Sequence, residues 1–556
     1  MLTVPSNQNT SISTSAIPVL FSGIEVQQND HAIINQNTLQ KLEFLMPGYQ
    51  IQPLGIDLKK GIHSSISSSK SDESDEANYD PKLYNEDLKP LKNQTWTSYN
   101  IFAVWMSDHL KVTAVPYPVI NRAIFGVRGA NIPAFLRGSI AIAWYGVQTY
   151  LASKALVLVL LKFWPGLATI NDVQNYGFVG LSLLGWIAFI ILWSSQAAVF
   201  WKGMEAVKRF VDWAGPAVYV AMLAQAVYLV WKAGWSNLGF NLSAGKPLEF
   251  WESIPVMLSA IALVVSYFSG PMLNFGDFSR YAKSWNAVKC GNIWGLPINF
   301  FFFSILTVVS TSATKPLFGE LITDPIEVMD RIDHPIATVL GGLTFVIATV
   351  GINIVANFIS PAFDFSNLAP QYISWRSGGM ITAIGSVLLT PWNWYNNPAA
   401  IHYALGVLGA LIGPLHGILI AGYYISSKQK VWVADMYSTR TDGRYWFSHG
   451  VNPNAVYATV ISGMLSIGAV LLPRFLSLGL WMTDYSWFIG GIVGFAAFAL
   501  FEHYNPRIRL DGVEELENTD SDKESEATKT EDLEGERWHS RYFRTIISYL
   551  SPHAAV

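Results

Sequence analysis

The chain has 556 residues, of which 51% are apolar and only 14% charged, and its net charge at pH 7 is −4. Soluble proteins carry about 25% charged residues, so this composition excludes a string of soluble domains. The near-neutral charge gives no support to nucleic acid as a partner. The single cysteine, Cys290, excludes an internal disulfide and a cysteine-rich zinc cluster.

The charged residues are concentrated at the two ends of the chain. About half of them lie in 1–95 and 503–556, which leaves a long charge-poor centre. We therefore predict a disordered cytoplasmic N-terminal tail over 1–94, a transmembrane domain over 95–502 and an acidic cytoplasmic C-terminal tail over 503–556. The tails are predicted to be solvated, and they are the parts available to regulatory proteins.

The central region divides into apolar segments of membrane-spanning length. A helix that crosses the lipid bilayer needs about 20 mostly apolar residues. Ten segments qualify, namely 136–162, 176–200, 214–234, 253–274, 290–313, 337–360, 377–393, 400–424, 454–473 and 484–502. An eleventh, at 96–107, has about half the length and is stopped by Asp108. The sequence thus predicts an all-α polytopic membrane protein with ten full transmembrane helices and one half-length segment that enters the bilayer without crossing it.

Basic residues indicate how these helices are oriented. About 14 Lys and Arg lie in the connections 109–135, 201–213, 275–289, 364–376 and 425–453. Because basic loops stay in the cytoplasm and ten crossings is an even number, both termini are predicted to be cytoplasmic. The predicted location is the plasma membrane.

Segment 253–274 carries a helix-breaking pair at membrane depth, Gly270-Pro271, close to Ser266 and Ser269. Proline removes a backbone donor and glycine frees the backbone, so we predict a helix interrupted at this pair. Transporters use the half-helix ends of such a break to hold polar solutes. A simple proline kink is the alternative.

Two other segments place polar side chains four residues apart, on one helical face. Trp144 and Gln148 offer an indole that stacks on a flat ring and a carboxamide that both donates and accepts. Asn353 and Asn357 offer two amides at the same spacing. The alternatives are an interfacial Trp anchor and amides that join helices. These residue types suit a neutral, planar, hydrogen-bonding solute better than an ion.

The ionisable residues of the central region allow more than one interpretation. His416 lies within an apolar segment, where it could relay protons or be an ordinary buried histidine. Asp108, Asp277 with Arg280, and Asp364 lie at predicted cytoplasmic helix ends, where gating and capping compete. The chain has no HExxH motif, no phosphate-binding glycine loop and no Ser/His/Asp set on one aqueous face, so an enzyme is not predicted.

Several strings of the sequence resemble the nucleobase–cation symporter family 1, which includes permeases for cytosine, uracil, allantoin and hydantoins. The strings are YNEDLKPLKNQTWTSYNIFAVWMSD (84–108), VPYPVINRAIFGVRGANIPAFLRGSIAIAWYGVQTYLAS (115–153), NFGDFSRYAKS (274–284), NIVANFISPAFDFSNLAP (353–370) and GRYWFSHGVNPNA (443–455). The resemblance implies a LeuT-like fold of two inverted five-helix repeats, with a substrate site at the first and sixth helices.

Site residues follow from the resemblance position by position. Trp144 and Gln148 match the aromatic and amide groups that contact the substrate ring from the third helix, and Asn357 matches an amide on the eighth. Phe268 stands where many members have a second stacking Trp. The candidates for gating or cation coupling are Trp105, Asp108, Gly270, Pro271, Asn353 and His416.

The sequence departs from the family pattern at two places. Sodium-coupled members have a Ser-Thr pair just before the asparagine motif, where this chain has Gly351 and Ile352. Since a hard cation needs oxygen ligands, proton coupling is predicted rather than sodium coupling, with no metal and no other cofactor. The chain also passes from Asp108 almost directly to Val115-Pro116, so the outer half of the family's first helix and its whole second helix are absent.

The predicted function is a secondary active transporter that imports a nucleobase-like heterocycle, such as uracil, allantoin or cytosine, by proton symport. The alternative is a non-transporting membrane protein, which would be a truncated isoform, a decayed paralogue or a receptor for a ligand or partner.

Overall fold

The computed structural model describes residues 24–26, 32–34, 79–91, 94–104, 115–239, 249–332, 334–476 and 481–508. It divides into two compact units, Met1–Tyr79 and Asp80–Val556. The described part of the first unit is an antiparallel pair of strands, Ile24–Val26 and Ala32–Ile34, in which Ile24 faces Ile34. The described part of the second unit is mainly helical, with one short strand pair, Gly177–Phe178 with Leu181–Ser182.

Eleven helices form most of the described part of the second unit. They are α1 (Ser98–Val104), α2 (Asn131–Phe163), α3 (Leu183–Trp201), α4 (Met204–Ala233), α5 (Phe250–Leu273), α6 (Trp285–Phe318), α7 (Pro335–Leu368), α8 (Trp375–Leu388), α9 (Pro398–Ala421), α10 (Pro453–Leu476) and α11 (Ser486–Tyr504). Short helical pieces lie between them at Tyr117–Ile120, Arg122–Phe125, Pro165–Asn171, Val173–Tyr176, Trp235–Asn237, Gly276–Ser279, Pro325–Arg331, Pro391–Tyr395, Ala434–Tyr437 and Trp481–Asp484.

Nine helices in the described ranges are long and apolar enough to cross a bilayer, which confirms an all-α polytopic membrane protein. The tenth predicted segment, 377–393, is divided between two helices, neither of which reaches this length alone. Its helix α8 has 14 residues and is followed by the five-residue helix Pro391–Tyr395. Thr390, the residue before Pro391, has a φ of 44° in the left-handed region and so leaves the right-handed helix.

Local sequence sets several of the helix ends. The Ser182 hydroxyl accepts from the Gly185 amide at 3.1 Å before α3, and the Ser284 hydroxyl accepts from the Ala287 amide at 3.2 Å before α6. These hydroxyls satisfy amides that have no partner within the helix. Gly203, with a φ of 88°, separates α3 from α4 in a conformation that other residues rarely adopt.

Small residues let the last three helices approach closely. Helix α9 packs against α10 and α11. A Cβ added at Gly417 would clash with the Gly491 carbonyl oxygen, and one added at Gly413 would clash with the Trp487 carbonyl oxygen. Such backbone contact is a common way of joining helices in lipid, where no hydrophobic force drives them together. Helix α2 packs against α3, α7 and α8 and is central to the site.

The expected half-length segment contains α1, whose seven residues span only about 10 Å. Trp96, just before it, forms an isolated parallel bridge with Ala282. Residues 105–114, and with them the candidates Trp105 and Asp108, lie outside the described residues.

Residues 80–91, within the expected N-terminal tail, contact the end of α7, the start of α8 and the segment after α5. The Asn85 amide donates to Ser366 at 2.8 Å, and the Asp87 carboxylate accepts from the Trp375 backbone amide at 2.9 Å. The Arg280 guanidinium donates to the carbonyl oxygen of Asp87 at 2.9 Å. These bonds hold the segment against the ends of α7 and α8.

Candidate functional site

A cavity of about 1070 Å³ lies among α2, α4, α5, α6, α7 and α9. Trp144 and Gln148 of α2, Phe268 of α5 and Asn357 of α7 all line it. The structure thus brings together around one space the four side chains that the sequence assigns to substrate. Most of the surrounding wall is aliphatic or aromatic, as is usual for small-molecule sites.

The aromatic side of the cavity contains a residue that the sequence analysis did not single out, Tyr267. Its ring lies edge-on to Trp144, with centroids 5.4 Å apart, and edge-on to Phe268 at 5.2 Å. Tyr267 therefore lies between the two rings that the sequence assigns to stacking. Phe268 also contacts Phe300 of α6 edge-on, at 5.8 Å.

Gln148 is a cavity amide with an unsatisfied hydrogen-bond acceptor. It is buried, and its Nε2 donates to the Tyr267 hydroxyl at 3.3 Å. Its Oε1 is buried without a hydrogen-bond partner in the described structure. An unpaired buried acceptor costs about 1–3 kcal/mol, which a solute donor at this point would recover.

The two asparagines of α7 have different surroundings. Asn357 lines the cavity, and its Nδ2 donates to the Oδ1 of Asn353 at 3.1 Å. Asn353 is fully buried behind it and donates to Thr149 at 3.0 Å and to Gln196 at 2.8 Å. The structure therefore places Asn353 in a scaffold that joins α2, α3 and α7, and not on the cavity wall.

The backbone of α7 changes form at the cavity. Residues Val355–Ile359 make a π-helical turn within the 34-residue helix, and Asn357 lies at its centre. Such single turns are frequent at functional sites, because they displace one side chain from the regular helical face. The apolar pattern and the spacing of the two asparagines do not indicate this turn.

Gly270 and Pro271 line the cavity, but the interruption predicted at this pair is wrong. Helix α5 continues through both residues to Leu273, and the break follows at Asn274. Pro271 is tolerated because it lies in the last turn, where it leaves only the Tyr267 carbonyl without its helical donor. Gly270 allows Arg137 to pass close by, since a Cβ there would lie 3.3 Å from its Nη2.

A buried group of charged residues adjoins this end of the cavity. Arg137, Asn274, Asp277 and Asp364 are each at most 1% exposed. Arg137 lines the cavity, and its Nε donates to the Asn274 side chain at 2.7 Å. Asp277 joins this group by accepting from the Asn274 side chain at 3.1 Å, and the charge of Arg280 also acts on it. A buried arginine at the edge of an apolar segment is itself a signal of function, and Arg137 was not among the predicted site residues.

His416 lies away from the cavity wall. Its ring contacts Trp487 of α11, with centroids 5.5 Å apart, and its Nδ1 is buried without a partner among the described residues. The structure therefore does not connect this gating or coupling candidate with the four substrate residues.

Comparisons with known proteins agree with this architecture. Residues 111–490 match the family described as permease for cytosine/purines, uracil, thiamine, allantoin. The allantoin permease of Bacillus subtilis is 32% identical, over 77% of this chain and 95% of that protein. The purine-uracil permease NCS1 of Arabidopsis thaliana is 28% identical, over 71% of this chain and 72% of its own length.

Among solved structures, a close match is Mhp1, a nucleobase-cation-symport-1 family transporter, in a closed conformation with bromovinylhydantoin bound. Its TM-score is 0.56 at 18% identity, over 77% of this chain and 98% of Mhp1, which confirms the LeuT-like fold. The chain therefore belongs to the family of permeases for cytosine/purines, uracil, thiamine and allantoin, and it is an integral membrane transporter and not an enzyme.

Proposed function

We propose that this protein imports a nucleobase-like heterocycle, such as uracil, allantoin or cytosine, by proton symport. The observation that carries the proposal is the position of Gln148, which has an unpaired Oε1 and lines the cavity together with Trp144, Tyr267 and Phe268. A flat ring with N–H groups would satisfy this acceptor and pack against Trp144 or Phe268. Asn357 would contact the polar edge of the same ring.

Proton coupling is supported by the residues at the positions of the family's cation-binding hydroxyls. Gly351 and Ile352 line the cavity and bring no side-chain oxygen to it. A sodium ion held there would have to replace lost oxygen ligands by water or backbone carbonyls. A proton needs no such coordination shell.

We also propose the plasma membrane as the location, with both termini in the cytoplasm, where the acidic tails are accessible to regulatory proteins. The support is the basic character of alternate connections between the helices. Antibody labelling of epitopes at each terminus, before and after permeabilisation, tests this orientation.

Uptake of labelled uracil, allantoin and cytosine by cells that lack their own permeases tests the proposal. We expect saturable uptake of at least one ring, abolished by Gln148→Ala and unchanged by Gln174→Ala, an exposed glutamine outside the cavity. No uptake of any such ring by protein that reaches the membrane would contradict the proposal.

A non-transporting membrane protein remains the second candidate, and one observation favours it. The family match begins at residue 111, just after Asp108, although the preceding string 84–108 resembles the start of the family. The helix and a half absent at this point form one wall of the family's cavity. Sequencing the transcript across the codons for Asp108 and His109 separates the candidates, since recovery of the absent segment would favour transport. Saturable ligand binding without uptake would favour a receptor.

A further inference from the structure

Two buried carboxyl groups of this protein share one hydrogen-bond donor. The Nδ2 of Asn274 lies 3.1 Å from an oxygen of Asp277 and 3.3 Å from an oxygen of Asp364. Both aspartates have no exposed surface. They come from different helical elements, since Asp277 follows the break after α5 and Asp364 lies in the last part of α7.

The two carboxyl groups accept fewer hydrogen bonds than buried, fully ionised carboxylates usually do. Asp277 also accepts from the Tyr117 backbone amide at 2.8 Å. Asp364 has only the shared Asn274 donor, and its Oδ1 is buried without a partner in the described structure. By contrast, the buried carboxylate of Glu502 accepts four hydrogen bonds, from Asn452, Asn454, Arg507 and Ile508.

The positive charge in the group does not neutralise both acids. Arg137 donates to two neutral acceptors, the Asn274 side chain at 2.7 Å and the Ala356 carbonyl at 2.9 Å. The next guanidinium, that of Arg280, acts on Asp277 through its charge, but it donates its hydrogen bonds to the carbonyl oxygens of Asp87 and Lys89 and none to either acid. With both acids ionised, the group formed by Arg137, Asp277 and Asp364 carries one net negative charge in a site without water-exposed surface. One proton makes it neutral, and such a pair holds that proton jointly.

Other polar groups that face the pair cannot replace the proton. The Tyr117 hydroxyl is buried without a hydrogen-bond partner in the described structure, and the buried Ser360 hydroxyl interacts with Asp277. Either can accept a hydrogen bond from a protonated carboxyl or donate one to an ionised carboxylate. They therefore accommodate both protonation states but add no charge.

The group is joined to the substrate cavity by covalent and hydrogen-bonded steps. Arg137 lines the cavity and donates to Ala356, the residue before Asn357 in the π-helical turn. Asn274 is the residue at which α5, the helix that carries Phe268, ends. A solute that moves either α5 or the π-helical turn therefore changes the surroundings of the two acids.

We propose that Asp277 and Asp364 share one proton and form the proton-binding site of this transporter. The inference rests on the proposed proton coupling and names the residues that carry it. A proton from the external solution forms an O–H bond with a carboxylate oxygen of the pair, and that bond breaks again when the proton leaves to the cytoplasm. Arg137 stays charged throughout and connects the protonation state to the cavity.

Infrared difference spectra of the full-length protein in lipid nanodiscs, recorded between acidic and alkaline pH without substrate, test the site directly. We expect the wild type to show the carbonyl band of one protonated carboxylic acid. The band is expected to be lost in Asp364→Asn, to be shifted in Asp277→Asn and to be unchanged in Glu502→Gln. A spectrum of the wild type without such a band, or a band that survives in both aspartate variants, would overturn the proposal.

Transport by Asp364→Asn distinguishes a failure of this site from a failure of the proposed function. We expect this variant to lose gradient-driven accumulation of substrate and to retain exchange of labelled for unlabelled substrate, which needs no net proton movement. Accumulation as in the wild type would show that the pair is not the coupling site. A wild type that neither accumulates nor exchanges any ring would refute the proposed function, while the infrared result would still decide whether the pair binds a proton.

Discussion

The Nε2 of Gln148 donates to the hydroxyl of Tyr267 at 3.3 Å, and this bond joins α2 to α5 at the wall of the cavity. It fixes one end of the Gln148 amide and leaves the other end, the unpaired Oε1, for a solute. The same tyrosine ring packs edge-on against Trp144. Tyr267 thus orients both the amide and the indole of α2.

We expect Tyr267→Phe to weaken substrate binding about fivefold while keeping the ring contacts. The loss corresponds to one hydrogen bond of about 1 kcal/mol, because the Gln148 amide is then free to rotate. Titration of the intrinsic tryptophan fluorescence with uracil or allantoin measures the change. Tyr267→Ala, which also removes the contact with Trp144, is expected to weaken binding further; equal affinities for wild type and Tyr267→Phe would show that the hydroxyl does not orient Gln148.

The two asparagines of α7 are expected to respond differently to truncation. Asn353→Ala leaves the buried Thr149 and Gln196 without a partner from α7, so we expect it to lower the free energy of unfolding by about 1–3 kcal/mol. Asn357→Ala removes a cavity amide and is expected to weaken substrate binding with a smaller effect on stability. Thermal unfolding and ligand titration of both variants separate the roles, and the reverse pattern would refute the assignment.

Because α9 and α11 approach closely, we expect alanine substitutions at two glycines to differ in their effect on stability. Gly417→Ala places a methyl group against the Gly491 carbonyl and is expected to cost about 1–3 kcal/mol of stability through overpacking. Gly463→Ala in α10 is the matched control, because nothing lies within 4 Å of the added Cβ. We expect a lower Tm for the first variant only. A similar Tm for both would contradict the packing described for α9 and α11.

The buried carboxyl group of Asp277 is expected to make the stability of the fold depend on pH. Burial raises the pKa of its carboxyl group to about 6. A carboxyl with a higher pKa in the folded than in the unfolded protein stabilises the fold below the unfolded value, and it loses that contribution as the pH rises through the folded value. The Tm of the wild type, relative to that of Asp277→Asn, is therefore expected to fall between about pH 4 and about pH 6 and then to level off.

Asp442→Asn provides the control for this measurement. Hydrogen bonding to Arg440 lowers the pKa of the exposed Asp442 carboxyl, so its contribution to stability has the opposite sign. The Tm of the wild type relative to that of Asp442→Asn is therefore not expected to fall over the same pH range. Parallel Tm curves for the wild type and Asp277→Asn would contradict the burial of an acid at this position.

Some parts of the site follow from the sequence, and others depend on contacts that it does not encode locally. The spacing of Trp144 and Gln148 puts both side chains on one helical face, and the structure has them on the cavity wall. The contacts of Tyr267 with Trp144 and Gln148 depend on how α5 crosses α2, so the aromatic side chain alone does not indicate a role in the site. Asn353 and Asn357 have the same spacing, but the π-helical turn directs only the second to the cavity.

The errors in the fold have local physical causes. The break in α5 comes after Pro271 because a proline in the last helical turn disrupts little of the helix before it. Segment 377–393 is helical as predicted, but it is divided into two helices before the proline at 391. Arg137 was not selected because it lies at the edge of an apolar segment, whereas the structure buries it among Asn274, Asp277 and Asp364.

Uptake of labelled uracil, allantoin or cytosine into proteoliposomes that contain the purified protein tests the central claim most directly. With an inward proton gradient and no sodium, we predict accumulation of at least one ring above its external concentration, collapsing when a protonophore is added. Accumulation that requires a sodium gradient would contradict proton coupling. The absence of accumulation under either gradient, with correctly inserted protein, would contradict transport itself.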